Sequence, residues 1–576
     1  MCAPRSLRYI LLGLLQGGLI WVLQQTDLLP ENSLPSAWRG ALQALVGLGP
    51  LLVYQSADSG WPLRRRVLIV AALGLWLLLE AYWQGITGGD TATKPRYDAR
   101  GLLGLLLWPP VALALTLGWD GPRRRFDYRR LFELAWRNAL LLALAALLTG
   151  LFWATLWAGA WLLDSIGIKA VRELIAKGGF AWPASAATFG LGFAQGLART
   201  SAIASLRRVW LGLNAWFYPL ALAFGMAWVV ALPFTGLDAL FGTRHAAFML
   251  LWFAVLGVKF CNAAWQDGSE APAYPAWLRT ALLWAQLCML PVVAVAGLAL
   301  QARIDQHGLS ADRIWALYVA LVTTLYAVGY GLSVLPRFRA RGWMASVGAT
   351  NTVVAMLGLA GAFLLLSPVL DARRLAVQHQ LARLDAGIVQ PEQFDFHALV
   401  HDHGLVGHEA VERLEQRKGS ERELRIAGLA RTALNSPAYA RVRNAEPVPA
   451  DATAKLRLWP RDVALDADFV ARLNAPMADW RDAQCLRHAP RCLLWRVDLD
   501  GDGQAEILML DTGTEHVLGV YRREDSQWRH AGTYALPASG DFDTLAGRIE
   551  AGEVKLQRAR LPDLVIDGKA ATFSSN

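Results

Sequence analysis

Four carboxylates fall within nine residues in the stretch VDLDGDGQAEILML at 497–510: Asp498, Asp500 and Asp502 alternate, Gly503 follows, and Glu506 comes four residues after Asp502. Alternate side chains converge on one point when a chain curls back on itself, and Gly501 and Gly503 permit that curl. Calcium takes six to eight oxygens in a flexible geometry, so this pattern points to a structural calcium loop with the carbonyl of Gln504 as a further ligand. The alternative is a metal-free acidic turn. Carboxylates this close repel one another, which favours the cation.

An EF-hand would place its bidentate glutamate at the twelfth loop position, which here is Met509. The pattern Asp-x-Asp-Gly-Asp-Gly-x-x-Glu instead resembles the calcium loops between strands of integrin-like repeats. Those repeats come in series, and one copy is present here, so a propeller is not implied. Cys485 and Cys492, with Pro490 between them, suit a disulfide closing a short loop, the alternative being two separate thiols. His397 and His401 lie four apart, on one helical face, a spacing that suits zinc; solvated helix histidines are the commoner outcome, and no HExxH places a general base. The chain lacks GxSxG, a Walker loop and the kinase set, so an enzyme is the less favoured reading and is left open.

The elements that must position these groups are set by hydropathy. The chain has 576 residues, 55% of them hydrophobic and only 18% charged. Apolar runs near 8–25, 38–55, 67–85, 101–119, 136–163, 181–198, 209–233, 247–265, 279–301, 312–335 and 348–370 are long enough to cross a bilayer, and there they must be helical. The first is read as an uncleaved anchor. The run at 181–198 is the weakest, rich in small residues, with Gly192 and Gly196 spaced for close helix approach; the stretch before it reads as interfacial. Within the runs, Glu80, Asn138, Asn214, Gln286, Tyr326, Tyr330 and Asn351 are the polar residues that would line a transport path if there is one.

Charge divides the chain. Residues 1–370 carry a net +13 and residues 371–576 a net −4. The basic excess sits in short loops, without the aromatic-interleaved stripe of a nucleic-acid binder. With the N-terminus inside, inner loops hold 19 Lys and Arg against 10 outside. Eleven crossings then put the C-terminus in the periplasm of a Gram-negative cell. Beyond Asp371, apolar residues recur at helical spacing to about 445, and from about 456 the period shifts toward two, as in an antiparallel meander.

Several blocks resemble the family of bacterial membrane proteins carrying domain of unknown function 4153. They are WRNALLLALAALLTGLFWATLWAGAWLLDSIGI at 136–168, FAWPASAATFGLGFAQGLAR at 180–199, ALPFTGLDALFGT at 231–243, NAAWQDG at 262–268, YPAWLR at 274–279, IDQHGLSADRIWAL at 304–317 and SPVLDARRLAVQHQLARLDAGIVQPEQFDF at 367–396. The resemblance covers about 130–415 and implies a membrane core without an assigned activity.

The expected fold is membrane all-α, a polytopic bundle of about eleven transmembrane helices over 1–370, followed by a soluble α+β domain: a periplasmic helical segment over 371–450 and a β-rich domain over 451–576. The expected role is structural, sensory or in assembly within the cell envelope, with the lipid bilayer and an envelope protein as partners and no nucleic acid. A permease or flippase for a small or lipidic substrate is the alternative.

Overall fold

Each apolar run becomes a helix because, without water, a backbone can satisfy its own polar groups only by coiling. The computed structural model describes residues 5–25, 35–57, 59–88, 99–120, 125–237, 240, 243, 245–269, 274–435, 456–461, 466–473, 492–511, 517–524, 527–535, 542–554, 564–566 and 569–571. They fall into two units, Met1–Gln390 with Ala398–Gln416, and Pro391–His397 with Arg417–Asn576.

The first unit contains α1 (Arg5–Gln24), α2 (Ser36–Ser56), α3 (Leu63–Gly88), α4 (Ala99–Leu117), α5 (Tyr128–Asp164), α6 (Ala170–Ala176), α7 (Gly178–Ala198), α8 (Thr200–Ala215), α9 (Phe217–Thr235), α10 (Ala246–Trp265), α11 (Ala276–Ala285), α12 (Met289–His307), α13 (Ala311–Gly331) and α14 (Val347–Leu366). Among the described residues, nine helical stretches are long and apolar enough to cross a membrane; α2 and α7, each of 21 residues, are not among the nine. All eleven expected runs are nevertheless helical. The run expected at 209–233 is interrupted at one residue: α8 ends at Ala215, Trp216 keeps helical dihedrals, and α9 carries the apolar stretch. Tyr274 donates from its hydroxyl to the Ala215 carbonyl, and Phe217 stacks on Phe260, on either side of this interruption. Pro291, which has no N–H to donate, follows a 3-10 turn at Gln286–Cys288 that joins α11 to α12.

Side-chain pairs give the helix directions. Along α1, Tyr9 stacks on Tyr54, Gln16 donates to the Gly47 carbonyl and Gln43 donates to that of Leu23, so α2 runs antiparallel to it. Gly13 lies against Ala186, Gly17 against Trp182 and Pro183, and Gly190 against Tyr9, so α7 is also antiparallel to α1 over most of its length. On its other side, α7 meets α5 through Gly192 on Ala145, Gly196 on Leu141, and Trp153 donating to Ser185. The same reading holds for α3 against α4 (Trp76 on Trp108, Leu77 and Ala81 with Leu105), α4 against α14 (Trp108 to the Leu359 carbonyl, Gly104 at Leu366) and α13 against α14 (Tyr318 to the Gly358 carbonyl, Tyr330 to Asn351). Thus α1, α3, α5 and α14 point one way, and α2, α4, α7 and α13 the other.

One consequence is a division of charge between the two ends of the bundle. The end where α2 stops and α3 begins carries Arg64 to Arg66, Arg130, whose guanidinium donates to the Ser59 carbonyl, and Arg137, which donates to that of Ala57. Trp343 donates to the Arg279 carbonyl there, and Arg339 lies over Trp284. After α14 the chain emerges at the other end and enters α15 (Ala372–Asp385), which is tied to the turn before α13: Arg383 donates to the Asp305 and Gln306 carbonyls and Gln380 to that of Leu309. Three basic residues at this end are in ion pairs, Arg100 with Asp312, Arg172 with Asp164 and Arg373 with Asp371.

In the second unit, α18 (Glu421–Leu434) begins with a capping box in which Ser420 and Glu423 satisfy each other's backbone N–H. The sheet is ordered β1 (Arg457–Trp459), β2 (Cys492–Val497), β3 (Glu506–Asp511), β4 (Val517–Glu524), β5 (Gln527–Ala535). The last four form the expected antiparallel meander, whereas β1 pairs with β2 in parallel, so the sheet is mixed. Alternation sends Cys492, Leu494, Ile507 and Met509 to one face with Phe469, and Leu493, Leu508 and Leu510 to the other with Phe542. Burial on both faces explains why the strands read as continuous apolar runs.

Candidate functional site

The acidic turn joins β2 to β3. Gly501 and Gly503 have φ of +81° and +83°, a left-handed conformation that glycine adopts without strain. The N–H groups of Gly501 and Gly503 donate to the two oxygens of Asp498 at 2.7 and 3.0 Å, that of Asp502 donates to Asp500, and that of Gln504 to Asp502. Glu506, buried at the start of β3, accepts from the Leu499 N–H at 2.8 Å. Carboxylate oxygens of Asp498, Asp500 and Glu506 lie within 4.8 Å of one another. Calcium–oxygen bonds of about 2.4 Å place opposed ligands about 5 Å apart, so the spacing of these three is one that a single ion could share. Asp502 is turned toward Arg522 on β4, which stands 3.7 Å from it and 3.2 Å from Asp500. This guanidinium, absent from any reading of the acidic motif alone, supplies counter-charge that a bound cation would replace.

Cys492 is fully buried as the first residue of β2, and Cys485 lies outside the described residues. His397 and His401 keep their four-residue spacing on α16 (Phe396–Asp402), and among the described residues no third ligand-type side chain joins them at metal-binding distance. The histidine that is set apart is His403, just before α17 (Gly404–Glu415): its ring contacts the Ala398 carbonyl, and burial holds its pKa below the ordinary value.

Polar residues of the bundle gather in two clusters. Near the arginine-rich end, Asn351 donates to Tyr128 (2.7 Å) and Asn262 (2.5 Å) and accepts from Tyr330 (2.6 Å), whose oxygen accepts from Asn262 (2.9 Å). Four side chains thereby tie together α5, α10, α13 and α14. At the opposite end, Gln84 donates to Glu80 (2.8 Å) and to the Leu366 carbonyl (3.0 Å) and accepts from Arg373 (2.9 Å). Arg373 also donates to Thr87 and pairs with Asp371, which caps α15 by accepting from the Arg373 N–H. Glu80, Gln84, Thr87, Asp371 and Arg373 are all buried. Of the other polar positions expected inside the spans, Asn138 donates to the Gln55 carbonyl, Asn214 to that of Trp210 and Gln286 to that of Leu283. Tyr128, Asn262, Gln84 and Arg373 escaped the sequence reading; the partners that join them to other helices lie too far away in sequence for spacing to show.

Residues 40–414 match the family described as Domain of unknown function (DUF4153). The chain belongs to this family. No curated protein and no solved structure matches it. The family region contains both polar clusters, including Asp371 and Arg373, and stops beside Gln416, where the first unit ends. The acidic turn and the cysteine pair lie beyond it. With its apolar helices, this member of the family is an integral membrane protein.

Proposed function

We propose that the chain is a multi-pass protein of the bacterial inner membrane with a structural, sensory or assembly role, exercised through a C-terminal unit held in the periplasm and stiffened by calcium. The observation that carries this reading is the distribution of charge: the basic turns with Arg64 to Arg66, Arg130 and Arg137 share one end of the bundle, whereas Asp371 and α15 lie at the other. Positive loops stay cytoplasmic, which supports an inner N-terminus and an outer tail. In two clusters the polar side chains of the spans bond one another, and Asn138, Asn214 and Gln286 bond backbone carbonyls, which supports a packed anchor over the permease or flippase alternative. An envelope protein is the expected partner.

A C-terminal alkaline phosphatase fusion tests the orientation. It should be active, and Cys485 and Cys492 should resist alkylation in denatured protein until a reductant is added. An inactive fusion with both thiols open would refute the placement and the disulfide together.

The calcium reading rests on the convergence of Asp498, Asp500 and Glu506. Millimolar calcium should raise the melting temperature of the purified full chain, with about 2–3 kcal/mol gained at a hundredfold excess over Kd. Asp500→Ala should abolish the shift. A wild-type curve unmoved by calcium would leave the turn as a metal-free one braced by Arg522.

A further inference from the structure

Between α3, α4 and α14 runs an open apolar groove of about 540 Å³, walled by Trp61, Leu73, Trp108, Leu115, Leu359 and Phe363. Trp108 forms its inner end. The ring stacks on Trp76 at 4.0 Å and its N–H is already donated to the Leu359 carbonyl, so it presents only an apolar surface. Trp119 and Phe126, in edge contact at 4.9 Å, stand at the mouth, at the arginine-rich end. From Trp108 to Leu117, where α4 ends, the helical rise amounts to about 14 Å, close to half of the roughly 30 Å hydrocarbon thickness. The groove therefore has the reach of one leaflet's acyl chain and opens at that leaflet's headgroups. Trp61, in its wall, lies under the guanidinium of Arg65 at 5.5 Å, and Arg64 and Arg65 are both exposed.

We propose that this groove seats one acyl chain of an anionic phospholipid, whose phosphate is held by Arg65 and its neighbour Arg64. The occupant follows from the combination of parts: the walls take hydrocarbon, the depth takes one leaflet, and the charge beside the mouth takes an anion. The proposal needs the bundle to be in a bilayer but is indifferent to which side the C-terminal unit occupies.

The test uses delipidated full-length protein in detergent, titrated with phosphatidylglycerol or with phosphatidylcholine of the same chains and read by native mass spectrometry. One saturable phosphatidylglycerol per chain is expected, bound several-fold more tightly than phosphatidylcholine. Ala360→Trp, which fills the groove from its open side, should weaken binding at least tenfold, while Leu151→Trp on a lipid-facing surface elsewhere should not. Arg64→Ala with Arg65→Ala should make the two lipids bind alike. A diazirine-bearing phosphatidylglycerol should label wild-type protein within 108–119 and 356–363, which keeps the test independent of how any variant folds. Unsaturable uptake (annular lipid only), equal wild-type affinity for both lipids, labelling elsewhere, or a dimer that Ala360→Trp dissociates would each overturn the assignment, the last by giving the groove to a second copy of the chain.

Discussion

Gly17→Leu is expected to destabilise the bundle by about 3 kcal/mol, the upper part of the overpacking range, whereas Gly18→Leu next to it should be close to neutral. A Cβ at Gly17 falls on the backbone of Trp182 and Pro183, and one at Gly13 on Ala186, while a Cβ at Gly18 meets nothing within 4 Å. Backbone cannot swing aside as a side chain can, so α1 must separate from α7 to admit the new atoms. Small residues four apart are how helices in lipid bring their backbones together, and here α7 is held on both sides this way. Thermal stability of the purified protein, followed by the fraction still monodisperse after heating, separates the two variants. Equal curves would show that α1 and α7 are not in backbone contact.

Arg373→Met carries the second large effect. The guanidinium serves Asp371, Gln84 and Thr87, all buried, and its loss leaves a carboxylate without its cation beside the end of α3. Removing one partner of a buried pair costs about 3–5 kcal/mol, because the remaining charge is stranded. Converting Asp371 to Asn in the same chain should recover a large part of that loss, since a neutral amide is less costly to bury and can still cap α15. If the single variant melts with wild type, or the double variant melts well below it, the pair does not hold α15 to the bundle.

The helices were legible because crossing a bilayer imposes a length and an apolar composition that few other structures share. Even α7, poor by hydropathy, was visible through Gly192 and Gly196, although the spacing did not say that their neighbour would be α5. Gly13 and Gly17 carry the same signal inside the first span, hidden there among larger apolar residues. The one-residue interruption at Trp216 was not legible, since the contacts beside it, from Tyr274 and Phe260, come from distant parts of the chain. The acidic turn could be read because its carboxylates lie within nine residues of one another. Arg522, which answers them, comes from the neighbouring strand and becomes apparent only once β3 and β4 are paired. Both membrane clusters join residues from distant spans, as Gln84 and Arg373 show. A single chain read in order gives each member and conceals the grouping.

The fit of α7 between α1 and α5 also bears on the order of events at the ribosome. Its two partners are synthesised before it, and α1 precedes it by about 150 residues, roughly 8 to 30 seconds of translation. During that interval the glycine face of α1 has no mate. When α7 emerges, a segment of lower hydropathy than its neighbours would meet a slot lined by Gly13, Gly17, Leu141 and Ala145, so that helices already in place would serve as the template for its insertion.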